Sequence, residues 1–182
     1  MDKPIAILTG ASTGIGRSLA LKLSSKYFIY LISRNKQNLN KTKELIDMQN
    51  NDCQIIVSDI SKTNSLDEIY SQIDNKDRIE LLVNNAGIGV FKSISDTSIE
   101  DWDNTLNTNL RGSFLMTKMI IDNLKSKKNG KIVFISSVAG LQPYKNSTAY
   151  VASKYAIRGF AASLREELRE FNIKVITVFP GA

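Results

Sequence analysis

The chain has 182 residues, 42% hydrophobic and 23% charged, which fits a globular domain with one sizeable core and excludes a disordered or bilayer-spanning chain. Histidine is absent and Cys53 is the only cysteine, so Ser-His-Asp and Cys-His nucleophile systems, histidine-built zinc sites and an internal disulfide are all excluded. The 24 Lys+Arg against 18 Asp+Glu give a net charge of +6, but the basic residues are scattered, and their one dense group (Lys125, Lys127, Lys128, Lys131) falls at a predicted helix end, so no nucleic-acid partner is expected.

The first predicted element is an apolar strand over 5–9. It runs into Thr9-Gly10-Ala11-Ser12-Thr13-Gly14-Ile15-Gly16-Arg17 and then into a helix over 15–25. Glycines here allow a sharp turn and a close backbone approach, and the helix start offers unpaired N–H groups to a diphosphate. The G-x-x-x-G-x-G spacing is weak as a lone string; its place between a first strand and a first helix gives it weight. The next strand, 27–32, leads to Ser33-Arg34, where an acidic residue would hold a ribose 2′-hydroxyl and an arginine can receive a 2′-phosphate. Arg34, with Arg17 or Lys36, therefore favours NADP(H) over NAD(H).

A helix over 36–49, a strand over 54–58, a helix over 63–74 and a strand over 80–83 follow. The spacing predicts one long helix over 99–126, opened by Ser98 and Asp101 at capping-box distance, with Asn107 and Asn109 in its interior despite poor propensity. A strand over 131–136 precedes Ser137, and a helix over 150–171 carries Tyr150 and Lys154 one turn apart on one face. An ammonium near a phenol favours the phenolate, which suits proton transfer, although such a pair alone is unspecific. The last strand, 174–179, ends at Pro180-Gly181. Six strands apolar on both faces, separated by helices and free of linkers or repeats, give one domain over 1–182: an α/β doubly wound, Rossmann-type, mostly parallel sheet.

Taken together, Thr9-Gly10…Gly14-Ile15-Gly16, Asp59, Asn84-Asn85-Ala86-Gly87, Asn109, Ser137, Tyr150-x-x-x-Lys154 and Pro180-Gly181 make the sequence resemble a short-chain dehydrogenase/reductase over its length from Thr9. The resemblance implies that Tyr150 is the general acid/base, that Lys154 favours its ionised form and binds the nicotinamide ribose, and that Ser137 hydrogen-bonds the substrate carbonyl. It implies that Asn109 holds a water linking Lys154 to solvent. It further implies a cofactor site made of Gly10, Ser12, Thr13, Gly14, Ile15, Gly16, Ser33, Arg34, Asp59, Ile60, Asn85, Ala86, Gly87, Tyr150, Lys154, Pro180 and Gly181, with no metal.

The activity so implied is hydride transfer between NADP(H) and a small carbonyl or alcohol substrate, with a 3-oxoacyl thioester reductase as one specific member. The alternative class is a nucleotide-binding sensor or partner subunit without turnover. Ile88, Gly89, Val90, Phe91, Val138, Leu141, Pro143 and Tyr144 suggest an apolar or mixed substrate pocket. Family likeness also implies a homodimer or homotetramer. Only Ala182 follows Pro180-Gly181, whereas family members continue with a substrate lid and a further strand, so a truncated chain of weak activity is expected. No N-terminal signal pattern precedes the first strand and no apolar run reaches about 18 residues, from which a cytoplasmic protein without a membrane span is expected.

Overall fold

A computed structural model describes residues 3–181; Met1, Asp2 and Ala182, the ends of the expected 1–182 unit, lie outside them. Six strands form one sheet: β1 (Ile5–Thr9), β2 (Phe28–Ser33), β3 (Cys53–Val57), β4 (Ile79–Asn84), β5 (Gly130–Ile135) and β6 (Ile173–Val178). All neighbours pair parallel, in the order β3-β2-β1-β4-β5-β6. This is the doubly wound, Rossmann-type arrangement expected. The chain reverses its direction of winding between β1 and β4, and that reversal opens a crevice at the carboxyl ends of the strands.

Apolar residues on both faces explain why every residue of β1 is buried. Ile5 and Ile7 join Tyr30, Ile32, Leu82 and Phe134 in one core, while Ala6 and Leu8 join Ile29 and Leu31 in the other. The first core is closed by α5 (Gly112–Lys127) through Met116, Ile120 and Leu124, and by α6 (Thr148–Glu167) through Ile157, Ala161 and Leu164. The second is closed by α1 (Gly14–Leu23) through Ala20 and by α2 (Lys36–Asp47) through Leu39 and Ile46.

The helices depart from expectation in three places. The one predicted over 63–74 contracts to α3 (Ser65–Ser71). The one predicted over 150–171 begins two residues earlier, at Thr148, and ends at Glu167, after which Arg169–Phe171 form a separate 3-10 turn. The long one over 99–126 is α4 (Ile99–Leu106), a π turn (Asn107–Arg111) and α5 in succession. Its start is the expected capping box: Ser98 Oγ accepts from the Asp101 N–H at 3.0 Å, and Asp101 Oδ2 accepts from the Ser98 N–H at 3.2 Å. The π turn falls on the asparagines. One extra residue in the turn re-aims the Asn109 side chain toward the carboxyl end of β4, where its amide finds partners. Among the described residues no helix is long and apolar enough to cross a membrane, and no group of three or more acidic, cysteine or histidine side chains could hold a metal ion.

Candidate active site

The turn after β1 is built by backbone needs. Gly10 (φ +66°) and Gly14 (φ +52°) take left-handed conformations. A Cβ on Gly10 would lie 2.8 Å from the Ala86 Cα, and one on Gly16 would lie 2.1 Å from the Gly10 carbonyl oxygen. The segment after β4 is fastened to this turn. Thr9 Oγ1 accepts from the Asn85 and Ala86 N–H groups, both at 3.0 Å, and Asn85 Nδ2 donates to the Thr9 and Gly10 carbonyls at 3.0 and 3.1 Å. Arg17 is engaged as a tie: its guanidinium donates to Thr42 Oγ1 at 3.0 Å and to the Ser12 and Asn38 carbonyls at 2.5 and 3.3 Å. Of the cations expected near the ribose, it is the one turned to structure.

A cleft of about 300 Å³ runs along this turn, lined by Gly10, Ser12, Thr13, Ile15, Gly16, Ser33, Arg34, Asp59, Ile60, Asn85, Ala86 and Gly87. It gathers twelve of the expected cofactor residues from the four segments that follow β1, β2, β3 and β4. Gly14 stands outside the lining, as the turn's corner. Ile32, Ser58 and Thr108 also line the cleft, unmarked by any local sequence signal, as does Ile88, which was expected in the substrate pocket. Arg34 is exposed and makes no ion pair among the described residues. Partial burial alone would raise the Asp59 carboxyl, but hydrogen bonds from Ser61 and the nearby charges of Arg34 and Lys62 outweigh it and hold the group below its ordinary value.

Three features fit this cleft to a dinucleotide. Thr13 makes no side-chain cap to α1 and the first turn of α1 has no acidic residue, so the N–H groups there remain available to an anion. The missing Cβ atoms of Gly10 and Gly16 let the turn, the head of α1 and the segment after β4 close against one another, which shapes the wall of the cleft. Ser58 Oγ, beside Asp59, is buried without a hydrogen-bond partner among the described residues, and such an atom calls for a ligand or water.

A second cavity, of about 420 Å³, adjoins the first through Ile15. Ser137, Tyr150, Pro180 and Gly181 line it, with Ile15, Phe91, Ser136, Val138, Ala139, Tyr144 and Ser147. The loop after β5 is pinned to the chain after β6 by the Val138 N–H, which donates to the Pro180 carbonyl at 3.0 Å. Ser137 Oγ accepts from the Ala139 N–H at 3.1 Å, which leaves its own proton free to donate outward. The Phe91 ring stands 5.5 Å from that of Tyr150.

Lys154 and Asn109 line neither cavity. Lys154 is 6% exposed; its Nζ donates to the Ile135 carbonyl at 3.0 Å and lies 5.6 Å from the centre of the Tyr150 ring. Burial pushes its ammonium down to about 8. Asn109 is bonded to protein on both sides of its amide. Its Nδ2 donates to the Ile88 carbonyl and to Ser153 Oγ, both at 2.9 Å, and its Oδ1 accepts from the Ile88 N–H at 2.8 Å. Both amide donors are thus occupied by protein, and the side chain acts as a clasp on the loop after β4. Ser153, which the sequence reading passed over, extends the clasp into α6 by donating to the Tyr150 carbonyl at 2.7 Å.

The family model described as short chain dehydrogenase matches residues 4–182. The chain belongs to this family. An uncharacterized oxidoreductase of Staphylococcus epidermidis is 34% identical over 183 residues, which is 100% of this chain and 78% of that protein. A sepiapterin reductase of Chlorobaculum tepidum is 33% identical over 189 residues, 99% of this chain and 78% of that one. A solved structure of a metagenomic short-chain oxidoreductase in complex with NADP superposes with a TM-score of 0.93 at 31% identity, covering 98% of this chain and 82% of that one.

In this short-chain dehydrogenase, burial of Lys154 has a measurable consequence. Between pH 8 and the ordinary lysine value of 10.5 the unfolded chain holds a proton that the folded chain has released. Stability therefore rises with pH across that window, and below it the fold carries the full cost of the buried ammonium, about 3 kcal/mol. Thermal unfolding of the cofactor-free protein against its Lys154→Met variant is expected to show the variant more stable at pH 7, with the gap closing toward pH 10. A gap that does not change with pH contradicts the assignment.

Proposed function

We propose that the protein is an NADP-dependent oxidoreductase that interconverts a small carbonyl compound and its alcohol, with Tyr150 as general acid/base. The observation that carries this reading is the convergence of Ser137 and Tyr150 on one cavity, continuous through Ile15 with a glycine-walled cleft that holds an unpartnered buried hydroxyl. Gly10, Ser12, Thr13, Gly16 and Asn85 to Gly87 would hold the diphosphate and ribose, Ser58, Asp59 and Ile60 the adenine, and Tyr150, Lys154, Pro180 and Gly181 the nicotinamide end. NADPH, when bound, supplies a hydride to the carbonyl carbon and leaves as NADP+.

The residues of this chain handle the oxygen. As the C=O π pair moves onto it, the Ser137 hydroxyl donates a hydrogen bond and the Tyr150 hydroxyl gives up its proton, so negative charge is met as it develops. The Lys154 ammonium, one turn away, favours the phenolate that remains. Asn109 and Ser153 hold the loop after β4 and the Tyr150 turn in one relation, which fixes where the hydroxyl points. In the oxidative direction each transfer reverses.

Arg34 supports NADP over NAD: it is exposed at the cleft, just past the end of β2, and free of ion pairs among the described residues. A charge-assisted pair to phosphate contributes about 1.5–3 kcal/mol, so Arg34→Asp should lower the NADP/NAD ratio of kcat/KM by about 10- to 100-fold. An unchanged ratio overturns the cofactor assignment, and NADPH binding without consumption in the presence of any ketone overturns the enzyme assignment. Phe114 and Tyr155, exposed on α5 and α6, support the further reading that the protein is a homodimer or homotetramer joined through these helices.

A further inference from the structure

The mouth of the second cavity exposes more apolar surface than packing accounts for. Phe91 is 69% exposed, Ile15 49% and Tyr144 44%, and all three line the cavity that holds Ser137 and Tyr150. The two aromatic rings are nevertheless held. Phe91 stands at 57° to Tyr150 with ring centres 5.5 Å apart, and it lies close over Gly89, where a Cβ would come within 2.9 Å of the ring. Tyr144 Oη accepts from Gln142 Nε2 at 2.6 Å. A ring fixed in position and left largely in water marks a surface that a ligand covers.

The electrostatics of the lining are equally specific. It contains no Asp, Glu, Lys or Arg, and its polar side-chain atoms are serine hydroxyls and phenols. A carboxylate or phosphate on the substrate would lose its hydration here without gaining a counter-charge. A neutral carbonyl needs only the donors already present at Ser137 and Tyr150. The volume, about 420 Å³, suits one ring or branched group beside the reacting carbon.

We infer that the cavity takes an uncharged ketone, or the matching secondary alcohol, with an aryl or branched alkyl group beside the carbonyl, and that Phe91 is the residue that selects it. The inference rests on the oxidoreductase reading for its chemistry and specifies that reading's substrate. The Phe91 ring covers one face of the apolar group while the oxygen lies between Ser137 and Tyr150.

The test compares acetophenone, acetone and pyruvate with the full chain in the presence of NADPH, measuring kcat/KM and, separately, the Kd of each ketone by calorimetry. Acetophenone is expected to exceed both others by about 10-fold or more in kcat/KM. Phe91→Ala should remove most of the advantage over acetone through KM, with the NADPH Kd unchanged, and Phe91→Tyr should restore it. Preference for pyruvate, or an acetophenone/acetone ratio untouched by Phe91→Ala, overturns the inference. Failure of the oxidoreductase reading looks different: no ketone turns over, and the calorimetric ranking of acetophenone against pyruvate, with its response to Phe91→Ala, still decides the ligand class.

Discussion

Tyr150→Phe is expected to reduce single-turnover ketone reduction by about 10³-fold or more while leaving NADPH affinity within about twofold. The exchange removes one oxygen and little else. The ring that packs 5.5 Å from Phe91 and lies 5.6 Å from Lys154 Nζ is retained. Nothing in the cavity can take over the lost proton. The chain has no histidine, and the other hydroxyls there, those of Ser136, Ser137, Tyr144 and Ser147, lack a buried ammonium one helical turn away. A single-turnover measurement with excess protein gives the range needed to see such a loss, and fluorescence titration gives the NADPH affinity. Reduction at an undiminished rate would remove Tyr150 from the chemistry, whereas loss of both turnover and binding would make the residue a structural support of the cleft.

How much of this was legible in the sequence follows from the range of the interactions involved. Six apolar strands and the capping box at Ser98 and Asp101 are written in neighbouring residues, and the structure reproduces them, with strand ends displaced by one residue in most cases. The break in the helix predicted over 99–126 was half legible. Asn107 and Asn109 marked an oddity, but the π turn depends on Ile88, some twenty residues earlier in the chain, whose N–H and carbonyl both bond the Asn109 amide. No local pattern carries that. The staple between Thr9 and Asn85 crosses from β1 to the end of β4, and the tie from Arg17 reaches α2, so both appear only once the crossovers are packed. That is why Arg17 read as a ribose cation: its charge was visible and its partners were not. Ser58 escaped for the opposite reason. Its hydroxyl has no hydrogen-bond partner among the described residues, and an orphaned hydroxyl leaves no trace in sequence spacing.

Gly16→Ala should damage both the fold and the nucleotide turn. An added Cβ would sit 2.1 Å from the Gly10 carbonyl oxygen and 2.6 Å from Asn85 Nδ2. The Asn85 amide could swing away at the cost of its bonds to Thr9 and Gly10, but the carbonyl belongs to a turn fixed by the left-handed Gly10 (φ +66°). Relief therefore requires the start of α1 to retreat from the turn by about 1 Å, which carries the anion-facing N–H groups with it. A displacement of that size at a binding group costs about 100-fold, so the NADPH Kd should rise by that factor, with a loss of about 1–3 kcal/mol in stability. Gly159 provides the control. It lies in the exposed interior of α6 with no atom within 4 Å of where its Cβ would be, so Gly159→Ala should raise stability by about 1 kcal/mol and leave NADPH affinity unchanged. Calorimetric melting and NADPH titration of the two variants separate a clash at the nucleotide turn from a general intolerance of alanine for glycine. If Gly16→Ala binds NADPH as tightly as the parent chain, the turn is not where the diphosphate lies.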